Sequence, residues 1–433
     1  MVSCEINEAA LGSARNETVD WRFKSIPAAL SGRRIGDAAA AKPDLFTDGF
    51  LGPVVVLAED ALAHNLREMA TWCAGHGVEL APHGKTTMAP ALFARQIEHG
   101  AWGITAANAG QLRVYRAFGV SRVLLANQLV DPAALAWLAA ELDADPAFEF
   151  TCWADSTAGV AQMSAALNGT RPVDVLVELG ADGGRTGARD RATAIAVAEA
   201  VHASPALRLA GVAGYEGALA HDASEASQAR VKSYVDDLRE LAVDLHGRGL
   251  FADVDEIIVT AGGSAYFDQV AEGITTGWPA GIKVRPVLRS GAYLTHDDGF
   301  YRGISPLGEH PRTTGAEPFR SALRAWAQVT SKPSSELALL TMGKRDASFD
   351  EGLPEPQLRR GPDDRVDALT GHTVTAMNDQ HTFLALPPGS PVAVGDWIGF
   401  GLSHPCTVFD KWPLLPVVDA DGRTVVDFVR TYF

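Results

Sequence analysis

Short apolar runs alternate with amphipathic segments from about residue 52 to about residue 290. The segments between the runs, such as DALAHNLREMATWCAG and ATAIAVAEAVHAS, carry apolar residues near the 3.6-residue period of a helix. Apolar runs bounded by turn residues predict buried strands. The runs are PVVVL (53–57), VELAP (78–82), WGITAA (102–107), RVLLAN (122–127), FEFTCW (148–153), VDVLVEL (173–179), LRLAGVAG (207–214), EIIVTAG (256–262) and VRPVLRSG (284–291).

This alternation predicts an α/β fold with a (β/α)8 TIM-type barrel, because strand and helix signals repeat about eight times over roughly 240 residues. An open doubly wound sheet is the alternative. No G-x-G-x-x-G turn follows the first run, and the glycine-rich stretch GADGGRTG at 180–187 does not match that spacing. The barrel is therefore favoured.

The pattern changes after about residue 310, where short runs rich in β-branched residues are separated by turn signals, as in PVAVGDWIGFGL and TVVDFVR. This texture predicts an all-β C-terminal domain. We predict an N-terminal arm at residues 1–45, the barrel at 46–305 and the C-terminal β domain at 306–433.

Composition bounds the class of protein and its partners. The 433 residues are 47% hydrophobic and 21% charged, which is ordinary for a globular protein of two domains. The formal net charge of −16 disfavours nucleic acid as a partner. The N-terminus has no basic start followed by an apolar run, so we expect no signal peptide, no membrane partner and a cytoplasmic location. The cysteines show no C-x-x-C spacing and predict a reducing compartment; they are Cys4, Cys73, Cys152 and Cys406.

The segment LAPHGKTTMAP (80–90) contains a lysine that raises two chemical interpretations. Gly84-Lys85-Thr86 looks like the end of a phosphate-binding P-loop, but that motif needs glycine where Glu79 stands. A lysine that closes an apolar strand can instead form a Schiff base with a carbonyl. A solvated lysine at a strand end is the alternative that this stretch alone leaves open.

Glycine-rich motifs follow two late strands, at the barrel end where chemistry collects. Gly262, Gly263 and Ser264 in TAGGS, and Gly291 in RSGAY, offer backbone N–H groups and a hydroxyl to a phosphate. A late-strand phosphate cradle opposite an early-strand lysine is the layout that pyridoxal phosphate requires. A glycine pair alone is usually a turn, so the interpretation depends on the order of the motifs.

The ordered motifs resemble the D-serine dehydratase / D-threonine aldolase family, whose barrel is of the alanine-racemase type, called fold-type III among pyridoxal phosphate enzymes. The resemblance runs from about residue 52 to about residue 412 and leaves out the N-terminal arm. The pieces that carry it are VLAEDALAHNLREM, PHGKTTMAPALFARQIEHGAWGIT, RVLLANQLV, VELGADGGRTG, GYEG, VTAGGSAYFD, SGAYLTHDDGFY, GKRDASFDEGLPEP, NDQHTFL and VGDWIGFGLSHPCTVFD.

The resemblance implies roles for three residues. Lys85 would hold the cofactor as a Schiff base and act as general base toward the α-proton once the substrate amine frees it. Arg185 looks like the arginine beside the cofactor ring, where a group that does not yield its proton restrains protonation of the pyridine. Tyr215 would lie near the cofactor. A surface salt bridge for Arg185 and a packing role for Tyr215 are the alternatives.

Ser403-His404-Pro405-Cys406 contains a His-x-Cys pair in the predicted C-terminal domain. In an extended segment, residues i and i+2 point the same way, so His404 and Cys406 could bind one Zn2+ and leave positions open. Spacing alone favours a core cysteine beside a satisfied histidine. The resemblance favours the metal, which would bind the β-hydroxyl as a Lewis acid. It also places His381 near this site as a catalytic residue that positions hydroxyl or water.

The predicted function is a pyridoxal-phosphate- and zinc-dependent lyase that converts D-3-hydroxy amino acids such as D-serine to an oxo acid and ammonia. Dehydratase members of the family favour His-x-Cys and aldolase members His-x-Asp, so Cys406 points to dehydration. A D-threonine-type aldolase, giving glycine and an aldehyde, is the main alternative. A racemase and a non-catalytic pyridoxal phosphate carrier are further ones. The resemblance also suggests a homodimer.

Overall fold

The computed structural model describes residues 3–433. None of the helices in that range combines the length and apolar composition that a membrane span requires. The helices are α1 (Glu8–Arg15), α2 (Ile35–Ala40), α3 (Glu59–His76), α4 (Pro90–Glu98), α5 (Ala109–Ala117), α6 (Pro132–Ala144), α7 (Thr157–Ala166), α8 (Arg191–His202), α9 (Glu225–Gly247), α10 (Phe267–Thr275), α11 (Phe300–Ile304) and α12 (Cys406–Phe409).

The strands follow the predicted change from a strand–helix alternation to an all-β pattern. They are β1 (Val54–Ala58), β2 (Glu79–Leu80), β3 (Ile104–Ala106), β4 (Arg122–Gln128), β5 (Glu149–Ala154), β6 (Val173–Leu179), β7 (Leu207–Gly214), β8 (Ile257–Ala261), β9 (Val284–Leu288), β10 (Leu323–Ser334), β11 (Leu337–Leu340), β12 (Glu355–Arg360), β13 (Val366–Ala368), β14 (Thr373–Met377), β15 (Thr382–Ala385), β16 (Trp397–Gly401), β17 (Leu414–Val418) and β18 (Val425–Arg430).

Strands β2 to β9 form a parallel barrel in the order β2-β9-β8-β7-β6-β5-β4-β3. The sheet closes between β3 and β2, because the Thr105 N–H donates to the Pro82 carbonyl at 2.9 Å and the Trp102 N–H donates to that of Leu80 at 2.7 Å. Amphipathic helices connect successive strands and bury one face each, as the sequence period predicts. The predicted (β/α)8 barrel is confirmed.

The first apolar run lies outside the barrel. β1 pairs antiparallel with β10, where Val55 faces Ala325, and parallel with β17, where Leu57 faces Val417. The sequence pattern included this run among the barrel strands because an apolar strand followed by a helix gives the same signal in either sheet. Within the described residues, the barrel takes its eight strands from the later runs.

The C-terminal domain is the predicted β structure, built on the path β13-β12-β16-β10-β1-β17-β18 with β11, β14 and β15 as an extension. The arm packs on this sheet, since Phe23 and Ile35 share one buried cluster with Trp326 and Phe428. The arm therefore contributes a layer of core to the second domain. The domain boundaries near residues 45 and 305 stay a prediction.

Barrel strands β2, β7 and β9 lead into 3-10 turns at their carboxyl ends: Gly84–Thr86, Glu216–Ala218 and Ala292–Leu294. Gly84 permits the first turn, because a Cβ there would lie 2.5 Å from the Tyr115 hydroxyl. Helix α12 of the C-terminal domain packs against this turn. Side chains of both domains therefore reach the barrel mouth.

We expect stability to fall as the pH falls from about 6.5 toward 4, in part because of His296. This residue is 4% exposed, and burial together with the charge of Arg302 lowers its pKa to about 4. The unfolded chain, with a histidine pKa of about 6.5, binds more protons in this window, so acid favours unfolding. The cost at pH 5 is about 2 kcal/mol.

Urea unfolding at pH 7 and pH 5 measures this effect. The variant His296→Gln has a neutral side chain at both values and should lose less stability between them than the wild type. Equal losses in the two proteins would contradict a contribution from His296.

Candidate active site

A cavity of about 680 Å³, including its open mouth, lies at the carboxyl ends of the barrel strands. This size suits a small ligand or cofactor. Turns of the barrel form one wall and the start of α12 forms another, so residues of both domains of one chain meet here. The predicted site residues that line it are Lys85, Arg185, Tyr215, Gly262, Gly263, Ser264, Gly291, His404 and Cys406.

His381 does not line this cavity within the described part of the chain. It is exposed in the turn between β14 and β15, where its carbonyl accepts a hydrogen bond from the Asn378 N–H at 2.8 Å. The geometry therefore gives His381 no contact with the other predicted residues. Its catalytic role rested on the resemblance alone and stays a prediction.

Lys85 lies in the turn after β2 and points its amine into a largely buried setting. Burial, reinforced by the charges of Arg185 and Arg289 and opposed by that of Cys406, lowers the pKa of Lys85 below its ordinary value of 10.5. A lowered pKa increases the fraction of neutral amine, which is the form that attacks a carbonyl. This setting fits a Schiff-base lysine better than a solvated one.

The glycine-rich turn after β8 is held by Glu216. The N–H groups of Gly262 and Gly263 donate to the two carboxylate oxygens of Glu216 at 2.9 and 2.5 Å. We predicted these amides as phosphate donors, but a fully buried carboxylate requires donors of its own. The Ser264 hydroxyl, which lines the same cavity, accepts from the Ala292 N–H at 3.2 Å and keeps its own hydrogen for a ligand.

Positive charge also lines the cavity. The guanidinium of Arg185 lies 4.7 Å from the ring centroid of Tyr215, a cation–π arrangement. The buried guanidinium of Arg289 donates to the Thr260 hydroxyl and the Gly214 carbonyl, each at 2.6 Å. Burial lowers the pKa of Arg289 to about 10, so this group stays charged at neutral pH. With Lys85, these side chains favour an anionic ligand.

The cavity also contains an unpaired polar atom. Nδ1 of His83 is buried and has no hydrogen-bond partner among the described residues. Burial, together with the charges of Lys85 and Arg289, lowers the pKa of His83 well below 6.5, so the ring is neutral. An unpaired buried nitrogen costs free energy that a ligand can recover. These features, with the Lys85 amine and the Ser264 hydroxyl, fit pyridoxal phosphate.

His404 and Cys406 lie beside the Lys85 turn of their own chain. The Thr86 hydroxyl is 3.2 Å from the Cys406 sulfur. Burial disfavours the Cys406 thiolate, but hydrogen bonds from His404 and Thr86 and the nearby positive charges outweigh it and lower the pKa of Cys406. The hydrogen bond to Cys406 raises the pKa of His404 to about 9. A thiolate beside an imidazole is a donor pair that suits Zn2+.

Two family models match the chain in this arrangement. The model "Alanine racemase, N-terminal domain" matches residues 57–249, and the model "Putative serine dehydratase domain" matches residues 322–418, which include His404 and Cys406. These matches support the D-serine dehydratase-like family that the ordered motifs resemble. Its members have a fold-type III barrel, which the order of strands β2 to β9 reproduces.

Two curated relatives of this chain are named as aldolases. The chain is 28% identical to D-threonine aldolase from Arthrobacter sp. over 349 residues, which are 78% of this chain and 81% of that protein. It is 26% identical to 3-hydroxy-D-aspartate aldolase from Paracoccus denitrificans over 331 residues, 75% of this chain and 80% of that protein. These comparisons support an enzyme of the lyase class with pyridoxal phosphate as its cofactor.

A solved structure shows the shared fold. D-threo-3-hydroxyaspartate dehydratase from a Delftia species matches with a TM-score of 0.68 at 20% identity, over 90% of this chain and 99% of that one. Two further structures under that enzyme's name have alanine in place of a histidine and of a cysteine two positions later, and the cysteine variant is in a metal-free form.

The His-x-Cys segment is a turn, so the predicted extended geometry is wrong. His404 has a φ of +49° in the left-handed region, and Cys406 begins α12 after Pro405. The backbone N–H of His404 donates to a carboxylate oxygen of Asp297 at 3.1 Å, which holds the turn. The two side chains line one cavity through this turn.

Asp350 holds the His404 ring. Its Oδ2 lies 2.6 Å from Nδ1 of His404, and its Oδ1 accepts from the Thr407 hydroxyl at 2.9 Å. A carboxylate on one ring nitrogen leaves the other for a metal, the usual arrangement of metal-bound histidines. Within residues 3–433 no group of three or more His, Cys, Asp or Glu side chains is placed to hold a metal. Zinc held by this pair would keep open positions for substrate.

We expect Asp350→Asn to weaken zinc binding by about 10- to 100-fold. The neutral amide is a weaker acceptor for the Nδ1–H of His404 than the carboxylate, so it orients the imidazole less strictly. The visible absorption of bound cofactor should not change. Competition against a chromogenic chelator measures the zinc affinity. Asp379→Asn is the control, since the Asp379 side chain is exposed and forms its ion pair with Arg345. An unchanged affinity in Asp350→Asn would contradict the orienting role.

Sequence reasoning missed several residues of this site. Thr86, Glu216 and Asp350 lie inside motifs that carry the family resemblance, in PHGKTT, GYEG and SFDEG, and Arg289 directly precedes the motif SGAY. No spacing or period marks them, because their partners are distant in sequence. Their position next to a predicted site residue, or in a motif shared with the family, was the signal available.

Proposed function

We propose that this protein is a pyridoxal-phosphate- and zinc-dependent dehydratase of D-3-hydroxy amino acids that releases an oxo acid and ammonia. D-serine is the simplest substrate. The observation that supports this most strongly is the meeting of the Lys85 turn with the His404–Cys406 pair, where Thr86 lies 3.2 Å from the Cys406 sulfur. An amine for the cofactor and a metal for the leaving group are then within one cavity.

Lys85 supplies the amine and the base. Pyridoxal phosphate, when bound, withdraws electrons from the α-carbon and makes its hydrogen acidic. The lowered pKa of Lys85 increases the fraction of neutral amine, which would hold the cofactor and, once the substrate amine replaces it, accept the α-proton. Arg289, which stays charged in the buried floor of the cavity, stabilises negative charge there.

The His404–Cys406 pair serves the leaving hydroxyl. Zinc on these two ligands would act as a Lewis acid toward the β-hydroxyl of the substrate. The α-proton leaves to Lys85 and the Cβ–O bond breaks with its electron pair on oxygen, so atoms and charge balance. The enamine that is released hydrolyses in water to the oxo acid and ammonia.

An aldolase is the second candidate, because both curated relatives carry that name. In that reaction the hydroxyl loses its proton and the Cα–Cβ bond breaks, which gives glycine and an aldehyde. The His-x-Cys pair favours dehydration, and the dehydratase structures with a substituted histidine and cysteine at this spacing support the same assignment. A racemase or a non-catalytic carrier would leave the metal pair without a purpose.

Product analysis tests the proposal. The purified protein with pyridoxal phosphate and zinc is given D-serine and D-threonine separately. We expect ammonia with pyruvate from the first and ammonia with 2-oxobutanoate from the second. Glycine and acetaldehyde from D-threonine, without ammonia, would replace the dehydratase by the aldolase.

The proposal includes a homodimer in the cytoplasm. The chain has a mass of 45.8 kDa, so sedimentation should give twice that value. A monomer that retains full activity would remove the dimer from the proposal and leave the reaction in place.

A further inference from the structure

Glu216 accepts hydrogen bonds from the two glycine amides that the sequence pattern assigns to a cofactor phosphate. It begins the 3-10 turn after β7, and it is completely buried. Its two oxygens accept the consecutive N–H groups of Gly262 and Gly263. This bidentate contact joins the turn after β7 to the turn after β8.

The same contact fixes the orientation of the backbone from Gly262 to Ser264. Gly262 has a φ of +116°, a conformation that other residues rarely adopt, and its N–H group points to Glu216. The Gly263 carbonyl, on the other side of the loop, accepts from the Ser290 hydroxyl at 3.3 Å. Ser264, next in the chain, bonds to the Ala292 N–H. The turns after β8 and β9 therefore form one connected unit that begins at Glu216.

We infer that Glu216 is a positioning residue for the phosphate of the cofactor. It holds the Gly262–Gly263 backbone so that Ser264 and the turn at Ala292 face the phosphate, one residue beyond the glycine pair. This inference rests on the proposed use of pyridoxal phosphate. A glutamine at position 216 presents one carbonyl oxygen and one NH2 group, so one of the two glycine amides loses its acceptor and faces another donor.

The experiment compares two compounds that differ only by the phosphate. Dissociation constants of pyridoxal 5'-phosphate and of pyridoxal are measured for the full chain freed of cofactor, as wild type and as Glu216→Gln. We expect the variant to lose roughly tenfold or more in affinity for pyridoxal phosphate and to keep its affinity for pyridoxal. Equal losses for both compounds would show a merely structural role and overturn the inference. A gain in affinity for pyridoxal phosphate would overturn it too, because the carboxylate would then oppose the phosphate.

Glu178→Gln is the matched control. Glu178 is also a buried carboxylate, at the end of the adjacent strand β6, but it accepts from Gln128 and Thr186 and not from the glycine turn. It should change both affinities by the same factor. If Glu216→Gln does not fold, Glu216→Asp retains the charge on a shorter side chain and should show the same selective loss.

The result of this binding experiment can be distinguished from the result of the dehydratase assay. A wild type that binds pyridoxal phosphate tightly and forms no oxo acid would reject the dehydratase and leave the test of Glu216 intact. A wild type that does not prefer pyridoxal phosphate to pyridoxal would overturn the inference itself.

Discussion

We expect the replacement of Lys85 by alanine to abolish both the turnover of D-serine and the visible absorption band of lysine-bound cofactor. In the proposed mechanism the same amine holds the cofactor and accepts the α-proton, so the variant would lose two functions at once. We expect the rate of ammonia release to fall by at least about 10³-fold. Absorption spectra at saturating pyridoxal phosphate and a coupled ammonia assay measure the two effects.

Lys232→Ala is the control for this substitution. Lys232 lies on α9, away from the cavity, and forms an exposed ion pair with Asp236. Its loss should change neither the spectrum nor the rate. A Lys85→Ala protein that keeps the absorption band would show that a different amine holds the cofactor, and the assignment of Lys85 would fail.

We expect the substitution Cys406→Ser to remove zinc and most of the turnover but to leave the cofactor in place. A hydroxyl is a poor substitute for a thiolate ligand, and the remaining His404 cannot hold zinc alone. Because a Lewis acid contributes several kcal/mol at the leaving oxygen, we expect a loss of at least about 10²-fold in rate. Metal analysis, the absorption spectrum and the ammonia assay on one preparation separate the three properties.

Cys4→Ser is the matched control, since the Cys4 sulfur lies near the Ser121 hydroxyl and the Arg122 carbonyl and far in the fold from Lys85. Zinc content and rate should stay at the wild-type values. If Cys406→Ser also keeps its zinc, the metal site lies elsewhere. If it loses zinc but keeps its rate, the metal has no part in the reaction.

The barrel could be predicted because its strands are apolar on both faces and its helices are amphipathic, so both signals are local. The sheet to which β1 belongs could not be predicted. Val54 and Val56 pack toward the arm while Val55 and Leu57 pack toward the barrel, and a strand buried on both faces reads the same in either sheet. Only its pairing with β10, about 270 residues later in the chain, assigns it to the C-terminal domain.

At the site, residues within one short motif could be predicted and contacts between motifs could not. Lys85 follows an apolar strand directly, and the glycines after β8 and β9 mark turns. Glu216 is 46 residues from Gly262, Asp350 is 54 residues from His404, and Arg289 is 75 residues from Gly214. Spacing along the chain contains no information about such pairs. The sequence pattern therefore assigns the glycine amides to phosphate and gives no sign of their carboxylate partner, Glu216.

The measurement that tests zinc-assisted elimination most directly follows ammonia release and cofactor absorption through removal and return of the metal. The enzyme is treated with a chelator, freed of it and supplied again with zinc, with D-serine as substrate. We predict that the absorption band stays, ammonia release stops, and one equivalent of zinc per chain restores it. Ammonia release that continues at its full rate in the zinc-free protein would contradict the central claim.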